Sequence, residues 1–287
     1  MHLDVAELRD FYTRPLGLVV RRLLAHRIRA RWRRITGETL IGLGFATPYL
    51  GAFRGEAWRI GAMMPSPQGA LVWPAMGSKM SVLVEDDHLP LPDNCVDRLL
   101  AVHCLETAER VRPVLREMWR VLTPEGRLLM IVPNRRSVWA RFDTTPFGHG
   151  RPYSRSQLQQ LLADALFTPL DWSMALHVPP LERPMVLRSA TAFERVGARI
   201  SPAFGGVIIV EARKELMAPI GKTATVRRLG RLVTVGGGNR SLKAERAPAA
   251  TPSGLPGSAD IESGHGGALR SADSSAAKGP GSPQRDE

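Results

Sequence analysis

The sequence predicts a doubly wound α/β domain built on a mostly parallel seven-stranded sheet, and three observations carry that expectation. Between residues 35 and 216, short runs rich in Val, Leu and Ile alternate with stretches of helical period, the pattern of strands joined by crossover helices. The run at 39–44 ends in small residues, Gly42 and Gly44, as at a tight strand-to-helix turn. An apolar content of 44% with 23% charged residues over 287 residues is that of a soluble globule with a sizeable core.

The strands are expected at 39–44, 57–62, 80–84, 96–102 and 127–132. Two late strands are expected at 167–175 and 205–213, as an antiparallel, hairpin-like edge. Val111, Val114, Leu115, Met118, Val121 and Leu122 recur at i, i+3, i+4 spacing and predict an amphipathic helix over 110–122. Thr123-Pro124-Glu125-Gly126 ends it, with Gly126 as the residue suited to positive φ. Ser154 has the character of an N-cap for a helix over 155–166.

Ahead of this domain, residues 1–34 read as a basic amphipathic helical extension. Arg21, Arg22, Arg27, Arg29, Arg31, Arg33 and Arg34 accompany Leu16, Val19, Val20, Leu23, Leu24 and Ile28. Such a helix presents a solvated face, touches an anionic membrane surface weakly, or binds nucleic acid. Arg27, Arg31 and Arg34 lie on one helical face and Arg29 and Arg33 on another, so the charge wraps round and no tight nucleic-acid complex is expected. Residues 217–235 read as a basic linker. From 236 to 287 Gly, Ala, Ser and Pro dominate, a composition that cannot offset its ordering entropy and predicts a disordered tail.

The net charge of +12 would suit an anionic partner. The longest apolar runs, such as Leu128 to Pro133, fall far short of the roughly 18 to 20 residues a membrane span needs, so no transmembrane segment is expected. Met1-His2-Leu3-Asp4 does not open like a secretory leader. Cys95 and Cys104 form no CxxC or Cys/His cluster, which argues against a metal site and for reduced thiols in a cytoplasmic protein.

In an open parallel sheet, ligands bind beyond the carboxyl ends of the strands, where strand order reverses. The order of features there is specific. Asp86-Asp87-His88-Leu89-Pro90-Leu91-Pro92-Asp93-Asn94-Cys95-Val96-Asp97, followed by Arg116-Glu117-Met118-Trp119-Arg120-Val121-Leu122-Thr123-Pro124-Glu125-Gly126, resembles the class I S-adenosylmethionine-dependent methyltransferases of the type 11 sort. In them an LPF segment, a DxV strand and an REMxRVLKPGG run recur in this order. The resemblance spans about 39–213 and implies a Rossmann-like methyltransferase fold, S-adenosylmethionine as cofactor and methyl transfer to a small-molecule acceptor.

The first motif departs from the family. Where its members carry an acidic residue and a run of glycines, as in LDLGCGTG, this chain has Leu40-Ile41-Gly42-Leu43-Gly44-Phe45-Ala46-Thr47-Pro48. Gly42 stands at the acidic position, Ala46 replaces a glycine and Pro48 another. The acidic ribose acceptor expected at the end of the second strand falls at about Met63, whose thioether cannot accept two hydroxyl hydrogen bonds. Two readings follow: a working transferase, or a methyltransferase-like binding or regulatory protein without catalysis.

Carried over residue by residue, the resemblance implies cofactor contacts at Gly42, Gly44, Ala46, Met63, Glu85, Asp86 and His103. It places acceptor-side residues after the fifth strand, where Asn134, Arg135 and Arg151 are candidates for binding the substrate. His149, with its ordinary pKa near neutrality, and Tyr153 are the catalytic candidates. The alternatives are that His149 and Tyr153 only fasten their loop, that Met63 fills core and that His103 is a satisfied structural histidine.

Overall fold

The computed structural model describes residues 3–216; the expected linker at 217–235 and tail at 236–287 lie outside the described residues. Helix α1 (Val5–Thr13) starts at Asp4, whose carboxylate accepts the Ala6 N–H at 2.7 Å, a side-chain cap for one of the orphan donors of a first turn. Helix α2 (Pro15–Arg31) begins with proline, which has no N–H to lose there. Its Leu16, Val20, Leu24 and Ile28 recur every four residues and are all buried. The charged face is therefore turned away from an apolar stripe that rests on the sheet.

Seven strands follow in one sheet: β1 (Thr39–Gly44), β2 (Arg59–Pro65), β3 (Ser81–Val84), β4 (Val96–Val102), β5 (Leu122–Pro133), β6 (Phe167–Ala175) and β7 (Val207–Lys214). Their spatial order is β3-β2-β1-β4-β5-β7-β6. All neighbours up to β5 are parallel, and β7 runs antiparallel to both β5 and β6. The chain steps outward from β1 to β3 and then returns to start β4 on the other side of β1. That reversal places a crevice at the carboxyl ends of β1 and β4.

Between strands lie α3 (Thr47–Leu50), α4 (Val111–Val121), α5 (Arg155–Asp164), α6 (Pro184–Arg188) and α7 (Ala190–Ile200). Buried side chains of α1, α2 and α3 join one face of the sheet, while those of α4 and α5 join the other. Val114, Leu115, Met118 and Val121 of α4 are buried as their spacing predicts. Ser154 caps α5 in a reciprocal box with Gln157, satisfying two donors at once.

Four expectations shift. Strand β2 runs 59–65 instead of 57–62, because Trp58 is exposed in the preceding turn and pairing with β1 begins at Arg59. Strand β5 starts at Leu122, which pairs with Val96 before a register shift at the turn. In that turn Glu125, not Gly126, takes the left-handed conformation, with φ 64°. The late strands pair antiparallel at the sheet edge as expected, but α6 and α7 lie between them in the chain, so no tight hairpin joins them, and β7 sits between β5 and β6. Lys214 at the end of β7 is buried, donating to Asn94 Oδ1 and Leu122 O at 2.6 Å each.

Candidate functional site

Gly44 closes β1 with φ +77°, and a Cβ there would lie 2.3 Å from Val102 O. Only glycine lets the chain turn off β1 this close to β4. Gly42 has a different reason: a Cβ there would lie 2.7 Å from both Ala46 Cβ and Leu50 Cδ1. Its small size, and that of the fully buried Ala46, allows α3 to pack on β1. Packing thus accounts for Gly42 and Ala46.

His103 follows β4 in a left-handed conformation, φ 50°, and is buried. Its Nδ1 lies 3.2 Å from Glu106 Oε1 and its Nε2 3.0 Å from Tyr12 Oη, which in turn accepts from Tyr49 Oη at 3.0 Å. These bonds run consistently in one direction: Tyr49 O–H to Tyr12, Tyr12 O–H to Nε2, and Nδ1–H to the carboxylate. The Tyr12 ring stacks on Phe45 at 5.6 Å, and Phe147 approaches His103 at 4.9 Å. Helix α1 therefore lies across the carboxyl ends of β1 and β4, its start tied down by the Val5 N–H on Gln68 O at 2.8 Å.

Gln68 is the residue that sequence reasoning missed. Strand β2 ends at Pro65, so the first polar side chains past its end are Ser66 and Gln68, and Met63 lies back inside the strand opposite Leu43, buried. Gln68 donates its amide N–H to His103 O at 3.0 Å. Its Oε1 is buried with no partner, as is Oε2 of Glu106. Unpaired buried acceptors are costly, roughly 1–3 kcal/mol each. Both face a demand for donors at the strand ends.

A small cavity of about 100 Å³ is lined by Pro65, Gln68, Glu85, Asp86 and Asp87, with Thr107 and Arg110 opposite. Burial pushes the Asp86 carboxyl up, and the neighbouring charges of Asp87 and Glu85 add to this. Arg110 pairs with Asp87. Gly44 and Glu85 stand at the carboxyl ends of β1 and β3, whereas Met63, opposite Leu43 and Val82, lies two residues short of the end of β2.

The loop after β5 divides the acceptor-side candidates. His149 lines a groove of about 400 Å³ with Asp10 and Arg14 of α1 and Thr145. Its Nε2 is 2.7 Å from Asp143 O, so Nε2 carries the proton and Nδ1 is the basic atom. Tyr153 is buried and donates to Leu105 O at 3.0 Å; burial, then the charge of Glu106, raises its phenol well above the ordinary value. Asn134 spends its amide on Ala203 O, Gly205 O and the Arg136 N–H. Arg135 is exposed and bonds Pro152 O through Nε at 3.3 Å. Arg151 is exposed, with its backbone N–H on Glu106 O. These three residues do not converge on one pocket.

Residues 42–130 match the family model described as a methyltransferase domain. That stretch runs from β1 to β5 and contains both sides of the crevice. The matched stretch holds the segments that resemble the methyltransferases in sequence. Among solved structures, a chain from the complex of the Haloferax volcanii Trm112 methyltransferase activator with a methyltransferase has 19% identity and a TM-score of 0.54, covering 74% of this chain and 98% of that one. A SAM-dependent methyltransferase from Thermotoga maritima has 15% identity and a TM-score of 0.49, covering 74% and 96%. One from Archaeoglobus fulgidus has 16% identity and a TM-score of 0.49, covering 68% and 94%. No curated protein matches.

The match to a methyltransferase domain raises the question of whether the residues present suit S-adenosylmethionine. By donor and acceptor chemistry they do. Gln68 Oε1 offers an unpaired acceptor just beyond β2, Asp86 and Glu85 line the same cavity, and Glu106 Oε2 offers a second acceptor beyond β4. By volume, the cavity admits only part of such a molecule, since small-molecule pockets run to roughly 300–1,000 Å³. Among the described residues no helix is long and apolar enough to cross a membrane.

Proposed function

We propose that this protein is an S-adenosylmethionine-dependent methyltransferase acting on a small-molecule acceptor. The observation that carries the reading is the buried, unpartnered Oε1 of Gln68 at the end of β2, an acceptor suited to a ribose hydroxyl where the chain lacks the usual carboxylate. Asp86, which lines the same cavity as Gln68, would accept from an adenine amino group. Gly44 keeps the floor of the crevice free of a side chain. Bound there, the cofactor would supply a methyl group already activated on a sulfonium.

What the protein adds is chiefly positioning. Arg14, Asp10 and Thr145 line the groove beside α1 with His149, and we assign this groove to the acceptor. His149 Nδ1, freed for proton uptake by the Nε2 contact with Asp143 O, is the base for a hydroxyl or ring-nitrogen acceptor. Tyr153 holds the loop through Leu105 O and is no base, because its raised pKa keeps it protonated.

A second reading is supported by Met63 at the aligned acidic position and by Tyr12 over the crevice: a methyltransferase-fold protein that has lost the cofactor along with transfer and serves as a binding or regulatory protein. Isothermal titration of the full chain with S-adenosylmethionine and S-adenosylhomocysteine separates the two. Saturable heat that weakens tenfold or more in Gln68→Ala supports the transferase. No heat at millimolar ligand leaves the second reading.

A further inference from the structure

A cavity larger than the one at the strand ends lies elsewhere among the described residues. It measures about 730 Å³ and is lined by Arg136, Ser154, Arg155, Trp172 and His177, among others. It lies at the outer edge of the sheet, beside β6. It reaches from β6, three positions from β4 in the sheet, to Asn134 just past β5, which neighbours β4, and it shares no lining residue with the cavity at the ends of β2 and β3.

Its walls are cationic. No aspartate or glutamate lines it. The Arg136 guanidinium lies 5.2 Å over the Phe204 ring and that of Arg155 5.2 Å over Trp172. Neither has a carboxylate partner among the described residues. Each ring holds its guanidinium in place by cation–π attraction without neutralising it. The third arginine, Arg27, is already engaged by Glu194 at 3.3 Å.

Helix α5 opens onto the same space. Its capping box uses the N–H groups of Gln157 and Ser154, leaving the first-turn amides of Arg155 and Ser156 as donors at the positive end of a ten-residue helix.

His177 supplies an independent observation. Its side chain is only 4% exposed, because Gly197 lets α7 press on it: a Cβ at Gly197 would lie 2.4 Å from His177 Cβ. The backbone N–H is satisfied by Glu194 Oε2 at 2.8 Å, and Nδ1 stands 3.5 Å from the same oxygen. Neither ring nitrogen completes a hydrogen bond. The imidazole, part of the cavity wall, faces Glu194 through Nδ1 and has no hydrogen-bond partner at Nε2.

We propose that this cavity binds a phosphorylated small molecule at a site separate from the crevice between β1 and β4. The phosphoryl oxygens would be met by the forks of Arg136 and Arg155, which suit tetrahedral oxyanions, by the α5 amides and by His177. The organic portion would lie against Trp172, Met174 and Pro202, which share the wall. The volume falls within the range of small-molecule pockets.

The test is titration calorimetry and ³¹P NMR of the full chain with phenyl phosphate and inorganic phosphate, and calorimetry with benzoate as the carboxylate control. Phenyl phosphate should bind saturably and at least tenfold more tightly than benzoate. Arg136→Gln with Arg155→Gln should weaken it tenfold or more, with the melting temperature checked. Ser156→Glu suits a helix N-terminus, so it should keep or raise the melting temperature yet also lose affinity by repulsion. Saturating S-adenosylhomocysteine should leave the phenyl phosphate affinity within twofold. No binding at millimolar phosphate, equal binding of benzoate, unaltered affinity in the arginine pair, or competition with S-adenosylhomocysteine would each overturn the proposal.

Discussion

Replacing Tyr12 with phenylalanine tests whether α1 is built into the crevice or merely rests on it. The hydroxyl lost is a junction: it bonds His103 Nε2 at 3.0 Å and accepts from Tyr49 at 3.0 Å, and all three residues are buried. Phenylalanine keeps the ring against Phe45 and leaves a buried imidazole nitrogen and a buried phenol unpaired. Stranding such groups costs roughly 1–3 kcal/mol, so about 2 kcal/mol is expected. A folded region of this size loses about 2–4 °C per kcal/mol, which gives a melting temperature lower by about 4–8 °C. Tyr12→Ala also removes the ring and should cost more, about 3–5 kcal/mol. Differential scanning calorimetry of the three proteins at pH 7 decides it. If Tyr12→Phe melts within 1 °C of the parent, the chain of bonds through His103 is not closed and the account of the crevice fails.

Glu117 is held below the ordinary glutamate value of 4.5, first by the Arg120 hydrogen bond at 2.8 Å and against the opposing effect of burial, with help from the Leu89 N–H. A lowered native pKa gives stability that is present above the ordinary value and lost as pH falls through the native one. Thermal melts from pH 7 down to 3 should therefore slope less in Glu117→Gln than in the parent, and parallel curves would contradict the pairing. Asp86 has the opposite sign: its raised pKa means that the ionised form burdens the native state as pH rises through that value. Asp86→Asn should accordingly raise the melting temperature at pH 7, and a fall would show that the carboxylate is already compensated. Cys104 is buried with its thiol pushed up by burial, whereas Cys95 is only half-buried. A thiol reagent should label Cys95 first in the native protein and Cys104 only on unfolding, so early labelling of Cys104 would mean that the crevice opens readily.

Most of the strand and helix order was legible because it is local: an apolar run marks β4, a 3.6-residue period marks α4, and Ser154 announces the cap of α5. The misplacements arose where pairing partners decide. The extension of β2 to Pro65 depends on its register with β1 and β3, and that shift moved the strand end from Met63 toward Gln68. The insertion of β7 between β5 and β6 is likewise invisible to a linear pattern, since it is settled by which exposed edge the returning strand meets. Tyr12 could not be read as part of the site because its partner His103 is 91 residues away. The packing of α3 on Gly42 was equally out of reach, because Leu50, which leaves no room for a side chain there, is placed by the short helix and not by the strand's own pattern. The second half of the crevice was readable as motif, the first only as packing.

The basic helix shows how far net charge can mislead. Arg21 bonds Pro48 O, Arg27 meets Glu194, Arg29 meets Glu56 and lies over Phe53, and Arg31 reaches Asp171 and Ser173 Oγ. These contacts fasten α2 to β6, α7 and the turn after α3, while its apolar stripe rests on the sheet. To grip a phosphate backbone, these arginines would first have to abandon their internal acceptors. Arg31 is the sharpest case, being mostly covered and bound to a carboxylate and a hydroxyl. Arg31→Gln should cost about 1.5 kcal/mol, or about 3–6 °C in melting temperature. Arg33, exposed beyond the end of the helix, should change it by less than 1 °C when made Gln. If α2 were a docking stripe for nucleic acid, the two substitutions would weaken binding to a DNA duplex alike and spare the melting temperature alike. The split in stability, with duplex binding weaker than micromolar at physiological salt in the parent, is expected from the contacts; equal melting temperatures would show that the arginines are held by nothing in the fold.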